Sequence, residues 1–183
     1  MSLSDFYIRP ATADDVDGIL QLIIDLATYE NARDSVKATP ELLRQNLFES
    51  QFAHALLAFS NEESNAKKPI GLALYFFNFS TWTGRPGLYL EDLYVSPEYR
   101  KFGIGKALFG ELAKVAKAKN CARLDWSVLK WNQPSIDFYE KRVGAKAMSE
   151  WEGMRLEEQG IENLISWAPS ERNLRGQSFD EDR

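Results

Sequence analysis

A strand, a glycine-containing loop and a helix follow one another in the middle of the chain, and this order restricts the fold more than any other feature. Residues 88–95 are rich in leucine, tyrosine and valine, which favour a strand. Residues 100–105 form the loop, with the pattern R-x-x-G-x-G. A helix to about residue 119 is then predicted from four apolar residues at helical spacing: Ile104, Leu108, Leu112 and Val115. A strand that passes through a short loop into a helix is typical of α/β domains.

Similar patterns run through the rest of the chain. Strands are predicted at residues 6–9, 52–59, 69–79 and 122–129, with two short ones near 145–148 and 154–158. A loop is predicted at 61–68 and a turn at 82–87. Helices are predicted from Thr12, with Asp15 as its capping partner, to about residue 30, from Thr39-Pro40, and from Pro134 to Gly144, with a last turn at 161–167. The sequence therefore predicts a mixed α/β domain with one central sheet flanked by helices.

The composition limits what kind of protein this is. A length of 183 residues fits one domain, which we place at residues 1–167, followed by a polar tail at 168–183 that we expect to be mobile. The single Cys121 excludes an intrachain disulfide, and one cysteine with one histidine argues against a metal site. The net charge of −5 argues against nucleic acid and favours neutral or cationic ligands. With no apolar run of membrane-spanning length and no visible signal peptide, we expect a cytoplasmic protein without a membrane partner.

The loop at residues 100–105 is the first candidate site. Glycine lets backbone N–H groups turn toward one point, and the start of a helix adds unpaired N–H groups and the positive end of its dipole. Arg100 and Lys101 add positive charge, so the loop is suited to a pyrophosphate. Leu108 stands where a dinucleotide fold needs a small residue, and Arg100 and Ala107 break the Walker pattern. From the pattern alone, a glycine turn that enters a core helix is an equal alternative.

Three further segments accompany this loop. Residues 89–95 read Y-L-E-D-L-Y-V, residues 131–135 read W-N-Q-P-S, and Phe138-Tyr139 follow. Together with R-x-x-G-x-G, they resemble the GNAT superfamily of acetyl-CoA-dependent N-acetyltransferases, and more narrowly its diamine (spermidine/spermine) and thialysine Nε-acetyltransferases. The resemblance extends from about Ile8 to Ile165. It implies a GNAT-like mixed sheet that splays between two neighbouring parallel strands, with acetyl-CoA in the cleft.

The resemblance also implies which residues bind acetyl-CoA. The strand after the two acidic residues would hold the pantetheine arm, the glycine loop would hold the pyrophosphate, and the segment after Trp131 would line the other side. The implied residues are Leu93, Tyr94, Val95, Arg100, Lys101, Phe102, Gly103, Ile104, Gly105, Lys106, Asn132, Pro134, Ser135 and Tyr139. A backbone N–H near Leu93 would polarise the thioester carbonyl.

Two of the matching residues would be catalytic. An alkylamine has a pKa of about 10.4, so a base must remove a proton before the amine attacks the thioester. Glu91 matches the family's base, and Tyr139 matches the tyrosine that protonates the leaving thiolate. Two alternatives stay open: Glu91 could bind only the substrate cation, and Tyr139 could be a core tyrosine. Direct attack needs no enzyme nucleophile, and Cys121, with no histidine beside it in sequence, is interpreted as a small, partly buried residue.

The substrate side is implied by six residues: Tyr29, Glu30, Trp82, Glu91, Asp92 and Glu152. Several carboxylates in one cleft would favour a substrate with two or more positive charges, although each acid could also be a solvated surface residue. Polyamine-selective members have Asp-Pro where this chain has Ser80-Thr81, and a tryptophan where it has Met154. These departures favour a small amine of aminoethyl-thioether or diamine character over spermine.

The sequence therefore predicts an N-acetyltransferase that moves an acetyl group from acetyl-CoA to a small cationic amine by direct attack in a ternary complex. By resemblance to the family, we also expect a homodimer. Two other functions stay open: acetylation of a protein lysine or N-terminus, and a non-catalytic acyl-CoA-binding module. The presence of both Glu91 and Tyr139 argues against the binding module, because a pure binder needs neither.

Overall fold

The fold is built on one five-stranded sheet. The structure is a computed structural model, and it describes residues 6–62 and 68–169. The strands are β1 (Phe6–Pro10), β2 (His54–Ser60), β3 (Pro69–Ser80), β4 (Arg85–Val95) and β5 (Leu124–Trp126). They lie side by side in chain order, and β1 to β4 pair with one another antiparallel. Among the described residues, β4 and β5 form the one parallel pair, so the chain must cross over the sheet between them.

The described part of the chain also contains five α-helices, of which the first four belong to the same unit as the sheet. They are α1 (Val16–Tyr29), α2 (Pro40–Arg44), α3 (Ile104–Ala118), α4 (Gln133–Phe138) and α5 (Glu158–Ile165). Wider, π-type turns continue α2 through Gln45–Glu49 and α4 through Tyr139–Val143. The crossover from β4 to β5 is α3, as the strand–loop–helix order predicts. Gly144 follows the turn after α4 with a φ of 81°, which confirms it as the predicted helix stop.

The start of α1 confirms the predicted capping residues. The backbone N–H of Thr12 donates to a carboxylate oxygen of Asp15 at 2.7 Å, just before the helix begins. Both oxygens of Asp15 also accept from the Arg9 guanidinium, at 2.7 and 2.8 Å. The hydrogen bond from Arg9, together with those from Thr12, lowers the pKa of Asp15 to about 2. This network joins β1 to the start of α1.

The sheet is covered by buried side chains on both faces. One cluster packs α3 against the sheet, with Leu108 and Leu112 completely buried. The other packs α1 and the turn after α2 against the opposite face, with Ile19 completely buried and Leu47 nearly so. Helices on both faces of a sheet enclose its residues on either side, so β2 and β3 read as continuous apolar segments.

A β-bulge interrupts β4 at Glu91. Leu74 of β3 pairs with Asp92, whereas the next residue, Tyr75, pairs with Leu90, so Glu91 is an extra residue in the ladder. The bulge reverses the alternation of side chains along β4. As a result Leu90 and Leu93 both pack toward α3, although they are three residues apart.

The sheet splays between β4 and β5. The last paired residues are Leu90 and Trp126, and β4 continues for five residues beyond this point without β5 beside it. The strand predicted at residues 122–129 is therefore cut to Leu124–Trp126, because the chain after Trp126 diverges from β4. The backbone of residues 91–95 consequently has a free edge on the β5 side.

Several predicted boundaries were wrong. The strand predicted from residue 52 begins at His54, with Phe52 exposed, and β4 begins at Arg85 because the preceding turn spans only residues 81–84. The predicted strands at 145–148 and 154–158 are not formed. Both segments belong to a second unit that starts at Gly144. The described part of this unit, residues 144–169, contains no strand that could pair with them.

The last helical turn that the sequence predicts at 161–167 is replaced by α5, which begins earlier. Most of the predicted mobile tail, residues 170–183, lies outside the described residues, as does the middle of the loop predicted at 61–68. Within the described part of the chain, no helix is long and apolar enough to cross a membrane.

Candidate active site

A large cleft lies where β4 and β5 separate. Its volume is about 1200 Å³. Four elements of the first unit line it: the end of α1, the second half of β4, the glycine loop with the start of α3, and the segment from Ser127 through the turn after α4. The free edge of β4 runs along this cleft, so backbone groups that a neighbouring strand would otherwise occupy face open space.

The glycine loop has the geometry of an anion-binding site. Gly103 caps α3 with a φ of 86°, and Lys101 also has a left-handed backbone, with a φ of 74°. The first backbone donor of the helix is Ala107, which bonds to the carbonyl of Gly103 at 2.9 Å. Among the described residues, the backbone N–H groups of 101–106 have no acceptor of this kind. A Cβ placed on Gly105 would meet no atom within 4 Å, so a ligand can approach the backbone there.

Charge is divided across the cleft. Five cationic residues line it, at the glycine loop and after α4: Arg100, Lys101, Lys106, Lys141 and Arg142. Three acidic residues line it at the end of α1 and at the bulge of β4: Glu30, Glu91 and Asp92. The cleft can therefore hold an anion and a cation at the same time, although the whole chain is acidic.

The acidic residues differ in their surroundings. Asp92 is half-buried, and this burial, with the charges of Glu91 and Glu30, raises its pKa to about 6. Burial also raises the pKa of Glu30. Glu91, the bulged residue, is exposed. Of the two acids in β4, the one whose pKa burial raises is thus Asp92, which follows the bulged residue.

Tyr139 also lines the cleft. Its ring packs edge-to-face on Trp126 and on Phe109, with centroids 5.1 and 5.9 Å apart. Burial and the charge of Glu30 raise the pKa of its hydroxyl, so it stays protonated at neutral pH. The ring therefore belongs to the core and the residue also lines the cleft, while its catalytic role stays a prediction.

Asn132 and Arg100 are both held by Tyr29. Asn132 caps α4, and its side-chain oxygen accepts a hydrogen bond from the Tyr29 hydroxyl at 3.1 Å. The Arg100 guanidinium lies over the Tyr29 ring, 5.1 Å from its centroid, and over the Tyr94 ring at 5.5 Å. Arg100 also donates through Nε to the carbonyl of Val95 at 2.9 Å. These contacts join α1, the end of β4 and the start of α4 around the cleft.

The structure brings most of the predicted site residues together. Every predicted cofactor-binding residue lines the cleft except Phe102, which is half-buried in the loop. Of the predicted substrate-binding residues, Tyr29, Glu30, Glu91 and Asp92 line it. Trp82 does not: it lies in the turn between β3 and β4, with 88% of its surface exposed. Glu152 belongs to the second unit, and its role stays a prediction.

Sequence reasoning missed several lining residues. Ser127 follows β5 directly, and its hydroxyl is 2.8 Å from that of Tyr89. Lys141 and Arg142 lie in the turn that begins at Tyr139. The available signal for this second basic group was the pair of adjacent cations two and three residues after Tyr139, a tyrosine expected in the cleft. Because a wide turn continues α4, these cations stay next to the cleft.

The comparisons with known proteins agree with this geometry. Residues 20–145 match the model of the acetyltransferase (GNAT) family. The chain belongs to this family. It is 39% identical over 169 residues to thialysine N-epsilon-acetyltransferase of Sus scrofa, a match that covers 88% of this chain and 98% of that protein. This GNAT protein is accordingly an acetyltransferase.

Two further relatives extend the comparison. Human spermidine/spermine N(1)-acetyltransferase-like protein 1 is 36% identical over 170 residues, which is 91% of this chain but only 24% of that larger protein. Among solved structures, an integron cassette protein from the mobile metagenome of V. cholerae has a TM-score of 0.71 and 27% identity. The match covers 88% of this GNAT chain and 98% of the cassette protein, and it confirms the fold class.

Proposed function

We propose that this GNAT protein transfers the acetyl group of acetyl-CoA to a primary amine of a small cationic substrate, thialysine or a diamine, by direct attack in a ternary complex. The observation that carries the proposal is the division of charge in one cleft. The basic side, with its glycine loop, suits a pyrophosphate, and the acidic side suits an amine with more than one positive charge.

The residues present fit acetyl-CoA. The free N–H groups of residues 101–106 and the guanidinium of Arg100 suit the pyrophosphate. The free edge of β4 at residues 91–95 suits an extended pantetheine arm, which can form strand-like hydrogen bonds. Asn132, Pro134 and Ser135 would contact the other side of the cofactor. When bound, acetyl-CoA supplies the acetyl group as a thioester.

The acidic side explains how an amine becomes reactive. Glu30 and Asp92 would bind the positive charges of the substrate, and Glu91 would accept the proton that the attacking nitrogen loses, directly or through water. A backbone N–H near Leu93, on the free edge of β4, would donate to the thioester oxygen. Holding the amine and the thioester in one cleft supplies much of the acceleration, because it removes the entropy cost of bringing them together.

Tyr139 would complete the reaction as the general acid. Its raised pKa keeps the hydroxyl protonated, so a proton is present for the thiolate that leaves. Cys121 does not enter the proposal, since it is half-buried and does not line the cleft. Covalent acetylation of the enzyme is therefore not a part of the mechanism.

The choice of thialysine or a diamine over spermine rests on two kinds of support. Ser80-Thr81 and Met154 depart from the pattern of polyamine-selective members. Several relatives, including those of Sus scrofa, Bos taurus and Mus musculus, carry the name thialysine N-epsilon-acetyltransferase. We also infer, from the family alone, a homodimer in the cytoplasm.

A thiol-release assay with acetyl-CoA tests the proposal. The amines are thialysine, lysine, putrescine, 1,3-diaminopropane, spermidine, spermine and a lysine peptide, with propylamine as a singly charged control. We expect thialysine or the short diamines to give the highest kcat/KM, and propylamine to be much poorer. A clear preference for the lysine peptide would indicate that the substrate is a lysine of a protein and not a small amine. Binding of acetyl-CoA without transfer to any amine would favour the acyl-CoA-binding module.

A further inference from the structure

We propose that Tyr29 is a positioning residue, which fixes Asn132 through its hydroxyl and Arg100 through its ring. These two residues frame the side of the cleft assigned above to acetyl-CoA, so the inference rests on the proposed function. It gives Tyr29 a different role from the substrate contact that the family resemblance implies.

The hydroxyl of Tyr29 acts on the helix that leads to Tyr139. It donates to the side-chain oxygen of Asn132 at 3.1 Å, and the same oxygen accepts from the backbone N–H of Ser135 at 3.4 Å as the cap of α4. Asn132 is only 6% exposed, so water cannot readily replace the hydrogen bond from Tyr29. Without it, the buried oxygen would keep only the longer of these two bonds, and the start of α4 would be less firmly held.

The ring of Tyr29 acts on the glycine loop. One cation, the Arg100 guanidinium, lies 5.1 Å from its centroid, and the ring of Trp131 lies 5.9 Å away. Because Arg100 also contacts Tyr94 and the carbonyl of Val95, its orientation is defined before any ligand arrives. A preorganised cation binds phosphate more tightly, since less side-chain entropy is lost on binding.

Because these contacts occupy Tyr29, we assign substrate binding to its neighbour Glu30. The hydroxyl of Tyr29 donates its hydrogen bond to Asn132, and its ring contacts Arg100 and Trp131. Glu30 follows directly in the chain, lines the cleft and raises the pKa of both Asp92 and Tyr139 by its charge. The end of α1 therefore presents Glu30 to the amine, while Tyr29 holds that end in place.

The test is the affinity for acetyl-CoA, measured by isothermal titration calorimetry, which requires no turnover. Tyr29→Phe keeps the ring and removes only the hydroxyl, and we expect it to raise the Kd by about 2- to 10-fold, the range for one neutral hydrogen bond. The KM of the amine should stay unchanged. The double variant Tyr29→Phe with Asn132→Ala should bind no more weakly than Asn132→Ala alone, because both remove the same bond. Tyr7→Phe, at an exposed position of the edge strand β1 and outside the cleft, is the matched control and should bind as the wild type does.

Two results would overturn the inference. One is a higher KM for the amine with an unchanged Kd for acetyl-CoA, which would return Tyr29 to substrate binding. The other is an additive loss in the double variant, which would mean that the two residues act independently. A wild-type protein that binds acetyl-CoA but acetylates no amine refutes the proposed function and leaves this titration as the test of Tyr29. A wild-type protein that does not bind acetyl-CoA refutes both.

Discussion

Tyr139 packs edge-to-face on Trp126, with ring centroids 5.1 Å apart, and Trp126 is the last residue of β5 that pairs with β4. The proposed general acid is therefore anchored at the point where the sheet opens. Because the ring makes these contacts, Tyr139→Phe should preserve the fold and the binding of acetyl-CoA. Loss of the hydroxyl should lower kcat by about 100-fold or more, which is in the range for a general acid. Steady-state kinetics and titration of acetyl-CoA measure the two effects separately.

Tyr75→Phe is a useful control for this variant. Tyr75 is a buried tyrosine in β3 that does not line the cleft, so its conversion to phenylalanine should leave kcat unchanged. A kcat near the wild-type value in Tyr139→Phe would leave the ring with a packing role alone. A loss of acetyl-CoA binding of similar size would instead assign the hydroxyl to the cofactor.

The pH dependence of kcat/KM should reflect Asp92. Its pKa is about 6, so below that pH the carboxyl becomes neutral and no longer attracts the cationic amine. We expect the slope of log kcat/KM against pH to increase by about one below pH 6 for a diamine, and the neutral variant Asp92→Asn to lose this step. Measurement of kcat/KM from pH 5 to 9 for the wild type and for Asp92→Asn checks both expectations.

Glu91→Gln is the matched variant for this experiment, since the two acids are adjacent in β4. We expect it to lower kcat while the step remains, shifted to a lower pH because the charge of Glu91 no longer raises the pKa of Asp92. If Glu91→Gln removed that step and Asp92→Asn kept it, the titrating group would be Glu91, and the roles of the two acids would have to be exchanged.

The carboxyl of Asp92 should make the protein less stable at neutral pH than at acidic pH. A carboxyl whose pKa rises from 3.8 to about 6 on folding stabilises the fold while it is neutral, and this contribution is lost as the pH rises through 6. Asp92→Asn stays neutral at every pH, so it should raise the free energy of unfolding at pH 7 by about 1–3 kcal/mol. The gain should shrink as the pH falls toward 4. Urea denaturation at pH 4.5 and 7 checks both statements, and an equal effect at the two pH values would contradict them.

Much of the site could be predicted because its signals are local. The glycine loop lies between a strand and a helix in sequence and needs no distant contact to form, and the capping residues Thr12 and Asp15 act within one turn. Likewise Asn132, Pro134 and Tyr139 lie on or beside one short helix, so the motif that contains them also fixes their relative positions.

The rest depends on pairing between distant segments. The bulge at Glu91 appears only when β4 is aligned with β3, so the sequence alone does not show which of the two acids, Glu91 or Asp92, is the less exposed. The early end of β5 results from its divergence from β4. Residues 145–148 and 154–158 have the composition of strands, but a strand forms only where a partner satisfies its backbone, and composition does not reveal the partner.

Gly105 offers a way to separate ligand binding from folding. A Cβ at this position would meet no protein atom within 4 Å, and the residue lies in the first turn of α3. Gly110 lies in the same helix, also has open space at its Cβ, and does not line the cleft. Both Gly105→Ala and Gly110→Ala should therefore leave the fold intact or stabilise it by up to about 1 kcal/mol, since alanine favours the helix.

Only one of these two variants should weaken the binding of acetyl-CoA. The methyl group of Gly105→Ala would enter the space in which the pyrophosphate approaches the backbone, so we expect its Kd for acetyl-CoA to rise at least 10-fold, whereas Gly110→Ala should bind like the wild type. Calorimetric titration and thermal denaturation of both variants provide the comparison. If Gly105→Ala bound acetyl-CoA normally, the free N–H groups of residues 101–106 would not be the pyrophosphate site, and the two cations after α4, Lys141 and Arg142, would be the next residues to replace.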